Sequence, residues 1–284
     1  MGKKNRLKDK APKRKRVPFV ERPYEGLKGE TELVAMREIL PAATTTVTTT
    51  ADYGSQDITL VTLLPNMSAA VRRESGELLV AVQTVTGSGD ASRDLAAVII
   101  DALELEPGAA IQSAELAEPG PRLQDVLENT ELELILYEDF SYWMSEEEKD
   151  REDVRQAIDQ TRENVTPSAS IEGVRGAYWC RMTSEFVRWI RTEDQDRVLD
   201  GLARLQSARS EGFDKDARFV GAFRGSGLLI PVWQLAPGTE ADELGSPMAT
   251  FEAEFEAAIN STEPLTPEEK RTRSGIVSRQ VTLR

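Results

Sequence analysis

The side chains that most often do chemistry are nearly absent from this chain: histidine is missing and cysteine occurs once, at Cys180. No Ser-His-Asp triad, His-paired Cys nucleophile, HExxH metal site or two-His-one-carboxylate iron site can be assembled within it. A lone cysteine also rules out an internal disulfide and every CxxC zinc pattern. Lying inside a strand-like run, Cys180 reads as a small buried hydrophobe. Chemistry is left to glycine turns, carboxylates, arginines and aromatics.

Gly87-Ser88-Gly89-Asp90, followed by Ser92 and Arg93, lies between a strand-like and a helix-like run. Free N–H groups at a helix start attract anions, and Arg93 adds positive charge. A phosphate or nucleotide could therefore sit on Gly87, Ser88, Gly89, Ser92 and Arg93. The plainer reading is a tight turn with Asp90 or Ser92 as N-cap, because Asp90 and Asp94 would repel phosphate. Gly225-Ser226-Gly227 joins two strand-like runs and reads as a hairpin turn. The acidic clusters Glu146-Glu147-Glu148 and Glu193-Asp194 with Asp196 lack EF-hand spacing. They fall at helix starts, where acids suit the helix dipole, and no metal is expected.

Tyr178, Trp179, Trp189 and Trp233 fall on strand-like runs near Arg181, Arg188 and Arg191, and Tyr142 and Trp143 fall on another. Such a face could stack single-stranded RNA bases. Large aromatics more often fill a core, which is the expectation here. Alternation puts Tyr178, Cys180 and Met182 on one face and Trp179 with Arg181 on the other, so one face is apolar and the other mixed.

These residues need elements to hold them. Val17 to Gly29 reads as an extended arm that packs as it crosses the body. Glu30 to Leu40 is a helix stopped by Pro41. Thr44–Thr50, Asp57–Leu64 and Glu77–Val85 are strands, with a polar connection over 65–75. Ser92–Glu106 is a helix ended by Pro107-Gly108. Leu132–Met144 supplies one or two further strands. In the second half, a helix on Val154, Ala157, Ile158 and Thr161 precedes strands over Ser168–Val174, Ala177–Met182 and Glu185–Arg191, the last two a hairpin. Asp194–Arg209 is a helix, and Arg218–Phe223 with Leu228–Leu235 is a strand pair. Met248, Phe251, Phe255 and Ile259 mark another helix. Thr266-Pro267-Glu268-Glu269 is an N-cap signature for one more, and the last residues read as a strand or a docked tail. The halves follow a similar element order, which suggests an internal duplication.

The 284 residues, 39% hydrophobic and 30% charged, suit an α+β protein with mixed or antiparallel sheets and helices packed on one side, an organisation that two similar subdomains meeting near residues 115–150 could supply. The expected organisation is a tail over 1–16, a first half over 17–144 and a second half over 145–284 with C-terminal helices. No apolar run reaches the roughly 18 residues of a membrane helix, so no membrane insertion is expected.

Charge is divided unevenly. Lys3, Lys4, Arg6, Lys8, Lys10, Lys13, Arg14, Lys15 and Arg16 stand against Asp9 alone, giving the tail +8 and leaving −22 on the rest of a chain of net charge −14. With almost no apolar content, the tail is expected to be disordered, and without an apolar run behind it, it does not read as a signal peptide. It could solubilise, contact RNA or the ribosome by displacing counterions from phosphate, or touch an anionic membrane. The last is weakest, because Leu7 is its only large apolar side chain.

Several stretches resemble an actinobacterial family catalogued as domain-of-unknown-function family 5926: ERPYEGLKGETELVAMREILPAATTT, LLPNMSAAVRRESGELLVAVQ, SGDASRDLAAVIIDALELEPG, GPRLQDVL, GVRGAYWC, RFVGAFRGSGLLIPVWQL and LTPEEKRTRSGIVSRQVTLR. The resemblance runs in order from about Val17 to Arg284. It implies a membership without a mechanism. It also implies relatives with an N-terminal SEC-C motif, a Cys-rich zinc knuckle. This chain departs there, with no cysteine before Cys180. Labels of translocase subunit or topoisomerase attached to some relatives do not fit, since no GxxxxGK[ST] pattern is present. The expectation is a cytoplasmic, non-enzymatic binding or adaptor protein without a cofactor, its tail on RNA or the ribosome and its acidic body on a protein partner. The rival is an enzyme or sensor that takes a phosphorylated small molecule at Gly87–Arg93.

Overall fold

The structure, a computed structural model, describes residues 17–83, 87–113, 118–145, 151–163 and 165–279. The tail over 1–16, Glu146-Glu147-Glu148 and the last five residues lie outside them.

Two sheets divide the described residues between the two halves of the sequence. The first comprises β1 (Ala43–Thr48), β2 (Asp57–Val61), β3 (Ala70–Arg72), β4 (Leu78–Ala81), β5 (Ala110–Ile111) and β6 (Ile135–Leu136), in the order β5-β3-β4-β2-β1-β6. The second comprises β7 (Ser168–Ser170), β8 (Ala177–Arg181), β9 (Glu185–Trp189), β10 (Arg218–Gly225) and β11 (Leu228–Gln234), in the order β10-β11-β9-β8-β7. The helices are α1 (Glu30–Glu38), α2 (Ala91–Leu103), α3 (Leu123–Val126), α4 (Glu152–Arg162), α5 (Gln195–Ala208), α6 (Gly245–Asn260) and α7 (Pro267–Arg279). The fold is α+β.

Sequence period accounts for the layering. On β4 and just beyond it, Leu78, Val80 and Val82 enter the large core with α1 and α2, while Leu79 and Ala81 enter a smaller one with Tyr142 and Val165. On β8, Tyr178 joins the α1 side and Trp179 the opposite side, where α5, α6 and α7 pack. Each face of the second sheet thus buries an aromatic of β8, while Arg181 beside Trp179 keeps that face mixed and Met182, beyond Tyr178 and Cys180, stays 51% exposed. The large core draws Leu33 and Met36 from α1 together with Tyr178, Ile190, Leu228 and Ile230 from the second half. α1 is therefore the shared element through which the halves close on each other.

The halves do not repeat. β7, β8 and β9 form an antiparallel meander, whereas β4 lies parallel to β2. The reason is β3, which sits in the connection over 65–75. It turns at Gly76 (φ +91°) into an antiparallel pair with β4, so the chain reaches β4 running in the direction of β2. The similar element order does not carry over to a common sheet topology.

Several local signals hold. Thr266 and Glu269 make a reciprocal capping box, with the Thr266 N–H donating to Glu269 Oε2 at 2.7 Å and the Glu269 N–H donating to Thr266 Oγ1 at 3.3 Å. Ser226 and Gly227 take the left-handed φ values, +46° and +80°, of a tight hairpin between β10 and β11. The run over Leu132–Met144 gives only the two-residue β6. Beyond it the chain turns at Ser141–Trp143, stacking Phe140 on Trp143 at 4.4 Å.

Candidate functional site

The structure brings Gly87, Ser88, Gly89, Ser92 and Arg93 together at the start of α2, and the chain's own acids occupy the place an anion would take. Asp90 is the N-cap and accepts from the Arg93 N–H at 3.4 Å. The Ser88 N–H donates to Asp94 Oδ2 at 2.9 Å. Asp90 is fully buried, with Arg122 Nε at 2.9 Å and Arg93 Nε at 3.5 Å from Oδ2. The Ser92 hydroxyl, also fully buried, donates to Gln124 Oε1 at 2.6 Å and accepts from the Leu123 N–H at 2.9 Å. These bonds dock α3 and the arm onto the head of α2. Arg122 and Gln124 continue outward to the Pro23 carbonyl, at 2.8 and 3.0 Å, and Gln124 also reaches the Glu25 carbonyl.

The arm is held along its length by side chains that grip its backbone. Asn129 accepts from the Lys28 N–H at 2.7 Å and donates to the Gly26 carbonyl at 3.0 Å. Tyr24 is completely buried, and burial pushes its hydroxyl up to about 12. From the other half, Gly227 packs so closely that a Cβ there would lie 2.5 Å from the Glu21 carbonyl oxygen. The arm therefore joins both halves ahead of α1.

Two carboxylates in the first turn of α1, Glu30 and Glu32, are buried and each is met by an arginine. Arg22 of the arm bonds Glu30 through Nε and Nη2 at 2.7 and 2.6 Å. Arg175, between β7 and β8, bonds Glu32 through Nε and Nη2 at 3.2 and 3.1 Å, reaches Glu131 at 2.8 Å and donates to the Lys28 carbonyl. The bidentate fork of Arg suits this role, and the acids lie at the positive end of the helix dipole. Gly176 follows at φ +75°, where a Cβ would lie 2.7 Å from Thr31 Cγ2. Glycine there lets the turn approach α1. Beside Arg175 opens a cleft of about 370 Å³, with Leu132 and Leu134 on one wall, Ile171, Val174 and Tyr178 on the other, and Glu32 between.

The other candidates are absorbed by packing. Trp189 and Trp233 are fully buried and Trp179 nearly so. Their indole N–H groups donate to the carbonyls of Arg175, Glu211 and Thr239 at 3.1, 2.6 and 2.9 Å. None of the three can stack on a base without opening the core. Arg181 lies over Trp179 at 4.9 Å and pairs with Glu185 and Glu240. Buried Arg191 lies over Trp189 at 4.6 Å and pairs with Glu193. Of the second acidic cluster, Asp194 caps α5 and Asp196 meets Arg273 at 2.6 Å. Among the described residues no three His, Cys, Asp or Glu side chains are grouped to hold a metal. Cys180 is 1% exposed, and burial pushes its thiol above the ordinary range.

The Glu32–Arg175 clamp escaped the sequence reading. Its partners lie 143 positions apart. The only local signal was an arginine between two glycines in Gly173-Val174-Arg175-Gly176.

Fold and site together define an α+β protein in which two buried acids of α1 are clamped by arginines, Glu30 by the arm and Glu32 by the turn between β7 and β8. The model of a family of unknown function, DUF5926, matches residues 23–284, and the chain belongs to that family. No curated protein matches the chain. No solved structure matches it. Among the described residues no helix is long and apolar enough to cross a membrane.

Proposed function

We propose that this chain is a non-enzymatic, cytoplasmic binding protein whose first sixteen residues contact RNA, at the ribosome or elsewhere, while the acidic remainder engages a protein partner. The observation that carries this reading is the charge division, +8 over residues 1–16 against −22 over the rest. Nine closely spaced cations suit a polyanion, and each phosphate contact releases counterions. In the remainder, Arg22, Arg175, Arg181, Arg191 and Arg273 are committed to carboxylates.

The alternative, an enzyme or sensor taking a phosphorylated small molecule at Gly87–Arg93, would have to displace Asp90 and Asp94 from the donors they occupy. The test is RNA binding by the chain with and without residues 1–16. Loss of binding on removal supports the reading, and retention moves the site to the body.

A further inference from the structure

We propose that the start of α1 binds a phosphate group, free or carried by a small molecule, in a groove between the arm and the turn from β7 to β8. The site is separate from the tail and from the head of α2, and it does not depend on the RNA reading.

The first turns of α1 and α2 are satisfied in opposite ways. At α2, Asp90 accepts from the Arg93 N–H and Asp94 from the Ser88 N–H, so the chain's own acids fill the place of an anion. At α1 the N-cap is Gly29 and no side chain caps the helix. The Glu30 N–H bonds the Leu27 carbonyl at 3.1 Å and the Leu33 N–H bonds the Gly29 carbonyl at 3.0 Å. The N–H groups of Thr31 and Glu32 meet no acceptor among the described residues. Glu30, Thr31 and Glu32 are only 6%, 5% and 7% exposed. Buried donors without a partner cost free energy, and those at a helix start lie at the positive end of its dipole. An anion satisfies both conditions.

A side chain points the same way. Thr31 lines the groove, and its hydroxyl makes no hydrogen bond among the described residues. Its methyl packs towards Gly176, which leaves the hydroxyl for the groove. Two kinds of unused donor, backbone and hydroxyl, therefore belong to one buried turn.

Charge agrees. Arg22, Lys28 and Arg175 line the groove with Glu30, Thr31 and Thr192. Lys28 is exposed and is bonded only through its backbone. Arg22 uses Nε and Nη2 on both oxygens of Glu30, and its Nη1 has only Glu25 Oε1 at 3.9 Å. Arg175 uses Nε and Nη2 on both oxygens of Glu32 and leaves Nη1 unbonded. The two acids of the turn are thus already neutralised by the arginines that hold them, and each arginine keeps a donor for a second anion. The groove measures about 410 Å³, enough to take a small molecule attached to the phosphate.

The test is titration of the ¹⁵N-labelled full-length chain with inorganic phosphate at constant ionic strength, followed by NMR. The amide signals of Thr31 and Glu32 should shift together and saturate. K28Q should weaken this binding about tenfold, the loss of one charged donor, and T31V about fivefold, the loss of a neutral one. K215Q removes the same charge from an exposed lysine that does not line the groove and should leave binding unchanged. K28Q alters an exposed side chain, so it keeps the test valid whatever T31V does to folding. Glycerol 3-phosphate, titrated in parallel, separates the sources: tighter binding than phosphate assigns the groove to a phosphorylated small molecule, and weaker or equal binding assigns it to the free ion. Thr31 and Glu32 amides that stay still, or drift without saturating, would overturn the proposal. So would equal weakening by K28Q and K215Q, which would mark attraction to net charge alone. Phosphate held by the tail would leave the Thr31 and Glu32 signals unmoved, so failure of this site and failure of the RNA reading are read separately.

Discussion

Arg175 holds Glu32 through two nitrogens, at 3.1 and 3.2 Å, across the junction of the two sheets. The Glu32 side chain is 10% exposed and that of Arg175 52%. The carboxylate therefore depends on an arginine that water still reaches. R175A strands a mostly buried charge. Exposure of the guanidinium limits the effect, and the expected loss is about 1–3 kcal/mol. R175K should recover only part of it, because an ammonium cannot bond both oxygens in the same plane. Urea unfolding of the three proteins checks this. Equal midpoints would show that the pair contributes nothing.

Gly227 predicts a steeper cost. At φ +80°, with a Cβ placed 2.5 Å from the Glu21 oxygen and 2.7 Å from Arg22 Cα, G227A must shift arm backbone as well as strain its own. The expected destabilisation is about 2–4 kcal/mol. Limited trypsin digestion should also show faster cutting after Lys28 of the arm than in the parent, Arg22 being followed by Pro23 and so resistant. Unchanged protection would mean that the arm does not rest on this turn.

The alternating apolar runs, the capping signature at Thr266 and the glycine hairpin were legible because each is a local pattern. Ser92–Glu106 became α2 over Ala91–Leu103, and Asp194–Arg209 became α5 over Gln195–Ala208. β3 was not legible: three residues are too few to show a period. That omission hid the parallel β2–β4 pair and made the halves look alike. The run Leu132–Met144 misled in the opposite direction. Its alternation is real, but Phe140, Tyr142 and Trp143 satisfy their apolar character by packing on one another in a turn. Of the candidate site, the tail's charge could be counted directly, while the clamps on Glu30 and Glu32 exist only once α1 is docked.

Tyr24 makes stability fall in alkali. Burial pushes its hydroxyl from the ordinary 10.0 up to about 12. The unfolded chain therefore loses this proton before the folded one. The contribution is intact below about pH 10 and is lost as pH rises towards 12. Y24F should show a shallower decline of thermal stability across that window. Parallel curves for parent and variant would contradict the assignment.

Cys180 gives a reporter of opening. At 1% exposure and with burial raising its thiol, it should react with Ellman's reagent only as fast as the native chain opens, and at once in denaturant. Prompt reaction of the native protein would place it at the surface.

The central claim is tested most directly by filter-binding titration of single-stranded RNA at several salt concentrations, with the full chain and with a chain lacking residues 1–16. If about six of the nine tail cations meet phosphate, log K should fall with log salt at a slope of roughly −4. Sequence preference should be slight, because contacts to phosphate carry no base information. The shortened chain should bind no RNA and melt almost as the full chain does. Undiminished binding by the shortened chain, or no binding by either, would contradict the account.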